Sequence, residues 1–160
     1  MSVASADEPL TVFGIKMGDD VRNYKWMKDY TIYPNARTQN FHIKAPEPNN
    51  NFDEYWVWTS CGNNKIFSIE AQSLSQSLGW HSKIFQDLKT ALVNKYGNEN
   101  NVVSNNDTMF GGPRVEIDIP PYEIWFYETW QWKDKGYSLI NLSYHNPSVK
   151  HDCNTDPSGL

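Results

Sequence analysis

Two stretches of strictly alternating aromatic residues constrain this chain most. In residues 54–60, Trp56 and Trp58 fall on one side of an extended backbone and Tyr55 and Val57 on the other. In residues 122–132, Trp125 and Tyr127 alternate with Phe126, Trp130 and Trp132. A period of two is the pattern of a β-strand, and large rings favour the pleated, half-buried surface of a sheet. Each stretch is followed by a turn and a second extended run. Cys61-Gly62-Asn63-Asn64 leads into residues 65–71, with Phe67, Ile69 and Ala71 on one face. Lys133-Asp134-Lys135-Gly136 leads into residues 136–145. Both pairs read as β-hairpins.

Around these hairpins the pattern is mixed. Residues 11–16 read as a short first strand. Gly18-Asp19-Asp20 offers a helix N-cap, and Val21, Tyr24 and Met27 recur at helical spacing, which predicts a helix of about three turns at most. Residues 40–44 alternate as a strand, and the Pro and Asn run at 46–51 is a loop. The best helix spans 80–96, where Ile84, Phe85, Leu88, Leu92 and Tyr96 form one apolar stripe and Gly97 supplies the C-cap. Residues 98–113 read as a polar loop, and 114–119 as a strand ended by Pro120-Pro121. The expectation is an α+β fold, with antiparallel sheet and helices on one face. The order also suggests two αβββ halves, residues 11–71 and 80–145, within one domain spanning 7–145 and followed by a tail at 146–160.

The 160 residues suffice for one domain with a substantial core. A net charge of −5, with Lys and Arg scattered, argues against nucleic acid, which requires a basic stripe to neutralise phosphates. No window approaches the ~20 apolar residues of a membrane-spanning helix. Near the start, Ala4-Ser5-Ala6 has the small-x-small form of a signal-peptidase site. Residues 1–6 are therefore read as the end of a secretory leader, and the chain as one working in the periplasm or outside the cell. In that compartment Cys61 and Cys153 are expected to form a disulfide, a long-range link worth about 4–5 kcal/mol in the chain-entropy model.

Catalytic signatures do not emerge. There is no nucleophile elbow, phosphate loop, Cys-x-x-Cys or His-Glu-x-x-His pattern. His145, His151, Asp152 and Cys153 fit no closed zinc spacing, so neither a metal nor a cofactor is expected. Glu116, Asp118, Glu123 and Glu128 supply carboxylates, and Glu128 shares a strand face with Phe126 and Trp130, where desolvation would raise its pKa. A glycosidase-like pair is nevertheless a weaker reading than a rim position for these groups. The chain is thus read as a binding protein rather than an enzyme.

Aromatic content supports binding: 7 Trp and 9 Tyr leave large rings on both faces of residues 122–132. Rigid amphipathic rings exposed on a surface mark recognition. Two loops are candidate contact elements. Met109 and Phe110 sit amid the polar residues 104–113, and Phe52, Asp53 and Glu54 form an acidic-aromatic segment suited to a basic partner. With Trp125 as a patch residue, these are the candidate partner-binding positions.

Phe13-Gly14-Ile15 with Gly18, and Phe85, Leu88, Leu92 and Lys95-Tyr96-Gly97, resemble motifs of small secreted bacterial proteins. The aromatic-rich αβββ pattern resembles, at fold level, secreted inhibitors of the β-lactamase-inhibitor type and periplasmic immunity proteins. That resemblance implies a protein that neutralises a toxin or hydrolase by occluding its active site. It carries no inhibitory residue across. A glycan-binding or envelope-associated module is the alternative, with Trp rings stacking on sugars.

Overall fold

A computed structural model describes residues 9–27, 38–60, 63–73, 76–98, 100–105, 112–130 and 137–149. The chain opens with a small hairpin, β1 (Thr11–Val12) against β2 (Ile15–Lys16). The single strand expected over 11–16 is therefore reversed at its centre. Phe13 and Gly14 both take positive φ, 56° and 73°, the combination a two-residue hairpin turn requires. A Cβ at Gly14 would meet Pro46, so that position is held to glycine twice over. Phe13 tolerates its strained backbone because its ring packs edge-on against Tyr55 at 5.1 Å and Phe52 at 5.9 Å.

The first helix expected from Val21, Tyr24 and Met27 does not form. Only a three-residue 3-10 turn, Val21–Asn23, is present, capped by the Asp20 carboxylate accepting from the Arg22 N–H. Tyr24 is already extended, and Met27 is 46% exposed. Tertiary hydrogen bonds decide the matter. Met27 N–H donates to the His42 carbonyl, the Lys25 carbonyl accepts from the Lys44 N–H, and Val21 N–H is bonded to the Asn64 carbonyl. Backbone groups that a helix would use internally are bonded to neighbouring segments instead.

One large antiparallel sheet follows. Its strands are β3 (Thr38–Ile43), β4 (Glu54–Ser60), β5 (Ile66–Gln72), β6 (Gln76–Ser77), β7 (Val102–Asn105), β8 (Arg114–Ile119), β9 (Tyr122–Trp130) and β10 (Tyr137–His145). The order across the sheet is β3-β4-β5-β10-β9-β8-β7, with β6 pairing to the start of β10. Two three-stranded meanders, β3–β5 and β8–β10, thus meet through their last strands. The strand β7 lies within the expected loop at 98–113; its two valines among asparagines are too short a run to signal a strand.

The α+β reading holds only coarsely. Among the described residues there is one α-helix, α1 (Leu78–Tyr96), and no layer of helices on one face. The αβββ order is likewise modified: the first half shows a 3-10 turn for its helix, and the second carries a fourth strand. In α1 the predicted stripe is real. Phe85 is 1% exposed and stacks on Phe126 at 4.5 Å, and Leu92 is buried in the same core. Lys83 and Asp87 pair at 2.9 Å on the solvent side. The Gly97 N–H closes the helix on the Val93 carbonyl, and the Asn101 amide ties the end down by donating to the carbonyls of Tyr96 and Asp118.

The core lies on one face of the sheet. Phe41, Ile43, Tyr55, Val57, Ile69, Ala71, Val115, Ile117, Ile124, Phe126, Ile140, Leu142 and Tyr144 are buried there, joined by Val12, Ile15, Met17 and Val21 from the amino-terminal segment. Phe67 departs from the expected alternation. A register shift between Trp58 and Thr59 puts Ile66 into the core, and Phe67 packs edge-on against His145 instead.

Candidate functional site

The opposite face of the sheet carries large polar and aromatic side chains in ordered rows. One row runs His42, Trp56, Glu70, Ser143, Trp125 and Glu116 as successive cross-strand partners. A second runs Asn40, Trp58, Ser68, His145 and Glu123. A third runs Glu54, Gln72, Asn141, Tyr127 and Arg114. Strands lie about 4.8 Å apart, so the six strands from β3 to β8 make a platform about 24 Å wide.

Specific contacts fix the rings. His42 stacks on Trp56 at 4.6 Å, nearly parallel. The Arg114 guanidinium lies over the Trp125 ring at 4.6 Å and pairs with Glu116 at 2.9 Å. The Gln72 amide donates to Asn141 Oδ1 at 2.7 Å, and Asn141 in turn donates to Thr129 Oγ1 at 2.9 Å. Held this way, the side chains lose little further entropy when a ligand arrives.

Two clefts meet at Glu70. One, of about 250 Å³, is lined by Asn40, Trp56, Trp58, Gln72 and Asn141. The other, of about 270 Å³, is lined by Thr38, Phe67, Trp125 and His145. Trp58, Glu70, Tyr127 and Ser143 are shared by both. Burial pushes the Glu70 carboxyl above the ordinary carboxylate range, and the nearby Trp58 indole N–H offsets part of that rise without reaching hydrogen-bond geometry. Burial likewise raises the Tyr127 hydroxyl, helped by the Glu70 charge and opposed by Arg114.

Among the described residues, the buried side-chain polar atoms Asn40 Oδ1, Trp58 Nε1, Arg114 Nε and Thr59 Oγ1 have no hydrogen-bond partner. Three of the four belong to this face. A buried polar group left unpaired costs about 1–3 kcal/mol, so such atoms rarely persist without a use.

The candidate positions separate on this frame. Trp125 is 37% exposed and stands on the platform. Glu54 lies at its border, opposite Gln72. Asp53 is exposed just before β4, its N–H bonded to the Gln72 carbonyl. Phe52 is only 5% exposed and packs on Phe13, so it belongs to the core and not to a contact surface. Its loop is curled inward by the Asn49 N–H donating to the Tyr55 hydroxyl at 2.8 Å. Met109, Phe110, Cys61 and Cys153 lie outside the described residues. Glu128 is not a rim residue: it is 3% exposed, accepts from the Ser138 hydroxyl at 2.5 Å, and burial raises its carboxyl. It faces the core side, away from the carboxylates of the platform. Among the described residues no group of three or more His, Cys, Asp or Glu is placed to hold a metal, and no helix is long and apolar enough to cross a membrane.

Glu70 and Asn40 were not singled out by sequence reasoning. Glu70 alternates with Ile69 and Ala71, which marks only a polar face. Comparison with protein-family models, curated proteins and solved structures finds no match.

Proposed function

We propose that this chain is a binding protein of the periplasm or cell exterior. The polar-aromatic face of its sheet docks a partner protein and occludes it, as an inhibitor or immunity protein would. One observation carries the reading. Three tryptophans, a tyrosine and an arginine, the residue types that dominate interface hot spots, lie together on a rigid platform about 24 Å across. That width suits a standard protein interface of about 800 Å² per partner better than a single small ligand. The acidic residues Asp53 and Glu54 at its border favour a basic partner, in line with the net charge of −5.

The test is capture on immobilised chain from envelope and secreted extracts, with wild type and Trp125→Ala compared side by side. A toxin or hydrolase held at 1:1, inhibited on binding and weakened about 10-fold or more by the substitution, supports the reading. A partner that binds both forms equally removes this face from the account.

The mixed lining of the first cleft favours a second reading. The amides Asn40, Gln72 and Asn141 beside Trp56 and Trp58 are the groups that hydrogen-bond to and stack on sugars. Tryptophan fluorescence titrated with peptidoglycan or chitin fragments separates the two: a saturable, sugar-specific shift favours a glycan-binding module.

A further inference from the structure

The cleft at Glu70 has the chemistry of a subsite for one particular side chain. Its walls are aromatic, from Trp56, Trp58 and Tyr127. Its polar lining includes the Glu70 carboxylate and the Asn40 amide, whose Oδ1 is buried and unpartnered. Among the described residues no cation pairs with Glu70. Arg114, a basic residue of this face, is engaged with Glu116 and Trp125. Aromatic walls around an unpaired carboxylate attract a cation twice, through the ring quadrupoles and through direct charge.

We propose that this cleft receives an arginine side chain of the protein that docks on the face. Arginine fits better than lysine for geometric reasons. A guanidinium is planar and lies flat on indole and phenol rings. Its N–H donors form a planar fork that meets a carboxylate two at a time. It is also weakly hydrated, so entering a partly desolvated cleft costs less than for an ammonium. The Trp58 N–H lies near this carboxylate without hydrogen-bonding to it, so the lone pairs of Glu70 remain for the guest. The inference rests on the docking role of this face, and deepens it by naming what the partner must present.

The test uses the full chain and small probes. Indole N–H resonances of Trp56 and Trp58 are followed by NMR while N-acetylargininamide is added, with N-acetylcitrullinamide as the neutral isostere. Saturable shifts at Trp56 and Trp58 with an affinity in the millimolar range are expected, about 10-fold weaker for the citrulline compound. Glu70→Gln should reduce the arginine response to that of citrulline. Equal responses to the two probes, or no shift at these indoles up to about 100 mM, would overturn the arginine subsite. That comparison on wild-type protein stands even if the variant misfolds. A failed titration alongside capture that still depends on Trp125 would remove the subsite alone. Capture indifferent to Trp125 would remove the docking reading itself.

Discussion

Replacing Glu70 by glutamine should make the protein more stable at neutral pH. In the folded chain this carboxyl is partly removed from water among Trp56, Trp58 and Tyr127, and among the described residues no cation pairs with it. Desolvation raises its pKa above the ordinary carboxylate value, so ionising it works against the folded state. The sign follows directly. At low pH Glu70 is protonated in both folded and unfolded chains, and its carboxyl contributes no penalty. As pH rises from the ordinary value of about 4.3 through the raised folded value, the unfolded chain ionises first and folding loses stability. Above the folded pKa the loss is complete and constant. Glutamine keeps the shape and never ionises, so Glu70→Gln escapes the penalty. An unpaired group of this kind costs about 1–3 kcal/mol. For a domain of this size that corresponds to a rise in Tm of about 2–12 °C at pH 7. Urea unfolding at pH 4 and pH 7 is the assay, read as the shift in midpoint at unchanged slope. The two proteins should nearly coincide at pH 4, with a gap opening as pH rises. Glu128, also raised by burial, is common to both and cancels in the difference. A variant less stable than wild type at pH 7, or a gap independent of pH, would refute the reasoning by showing that Glu70 has a favourable native partner. The expected trade is stability for binding, the pattern of a residue kept for function.

Two further outcomes follow from the packing. Phe85→Ala removes the ring stacked on Phe126 and should cost about 3–5 kcal/mol in urea unfolding; a loss below about 1 kcal/mol would mean that α1 is not anchored there. Gly112→Ala brings a Cβ onto the Glu128 carbonyl oxygen, where the backbone also receives the Glu128 N–H at the Pro113 carbonyl. The expected loss is about 1–3 kcal/mol in thermal or urea melts, and an unchanged midpoint would show that this segment yields freely.

Sequence reasoning reached the local order of this protein and stopped where long-range pairing began. The opposition of Trp56 and Trp58 to Tyr55 and Val57 is legible because side chains alternate on any strand, whatever lies beside it. The stripe from Ile84 to Tyr96 is legible for the same reason at the helical period. The failures each have a tertiary cause. Val21 to Met27 has helical spacing, but Val21 bonds to Asn64, and Lys25 and Met27 bond to Lys44 and His42. Glu128 looks like a rim residue until Ser138 meets it across the hairpin. Phe67 looks like core until the irregularity beside Thr59 turns it toward His145.

The candidate site shows the division most clearly. By itself the sequence determined only which neighbours share a side of each strand, with Trp56 opposite Tyr55 and Val57, Glu70 opposite Ile69 and Ala71, and Tyr127 opposite Phe126, because a two-residue period is written into the chain locally. Only the tertiary structure decided that Trp56, Glu70 and Tyr127 share one cleft. That depends on β5 pairing with β10, which sets Glu70 opposite Ser143 across more than seventy residues of sequence. The physical reason is that strand neighbours are chosen by burying one continuous apolar face and completing the hydrogen-bond ladder together, and neither condition is recorded in any single strand.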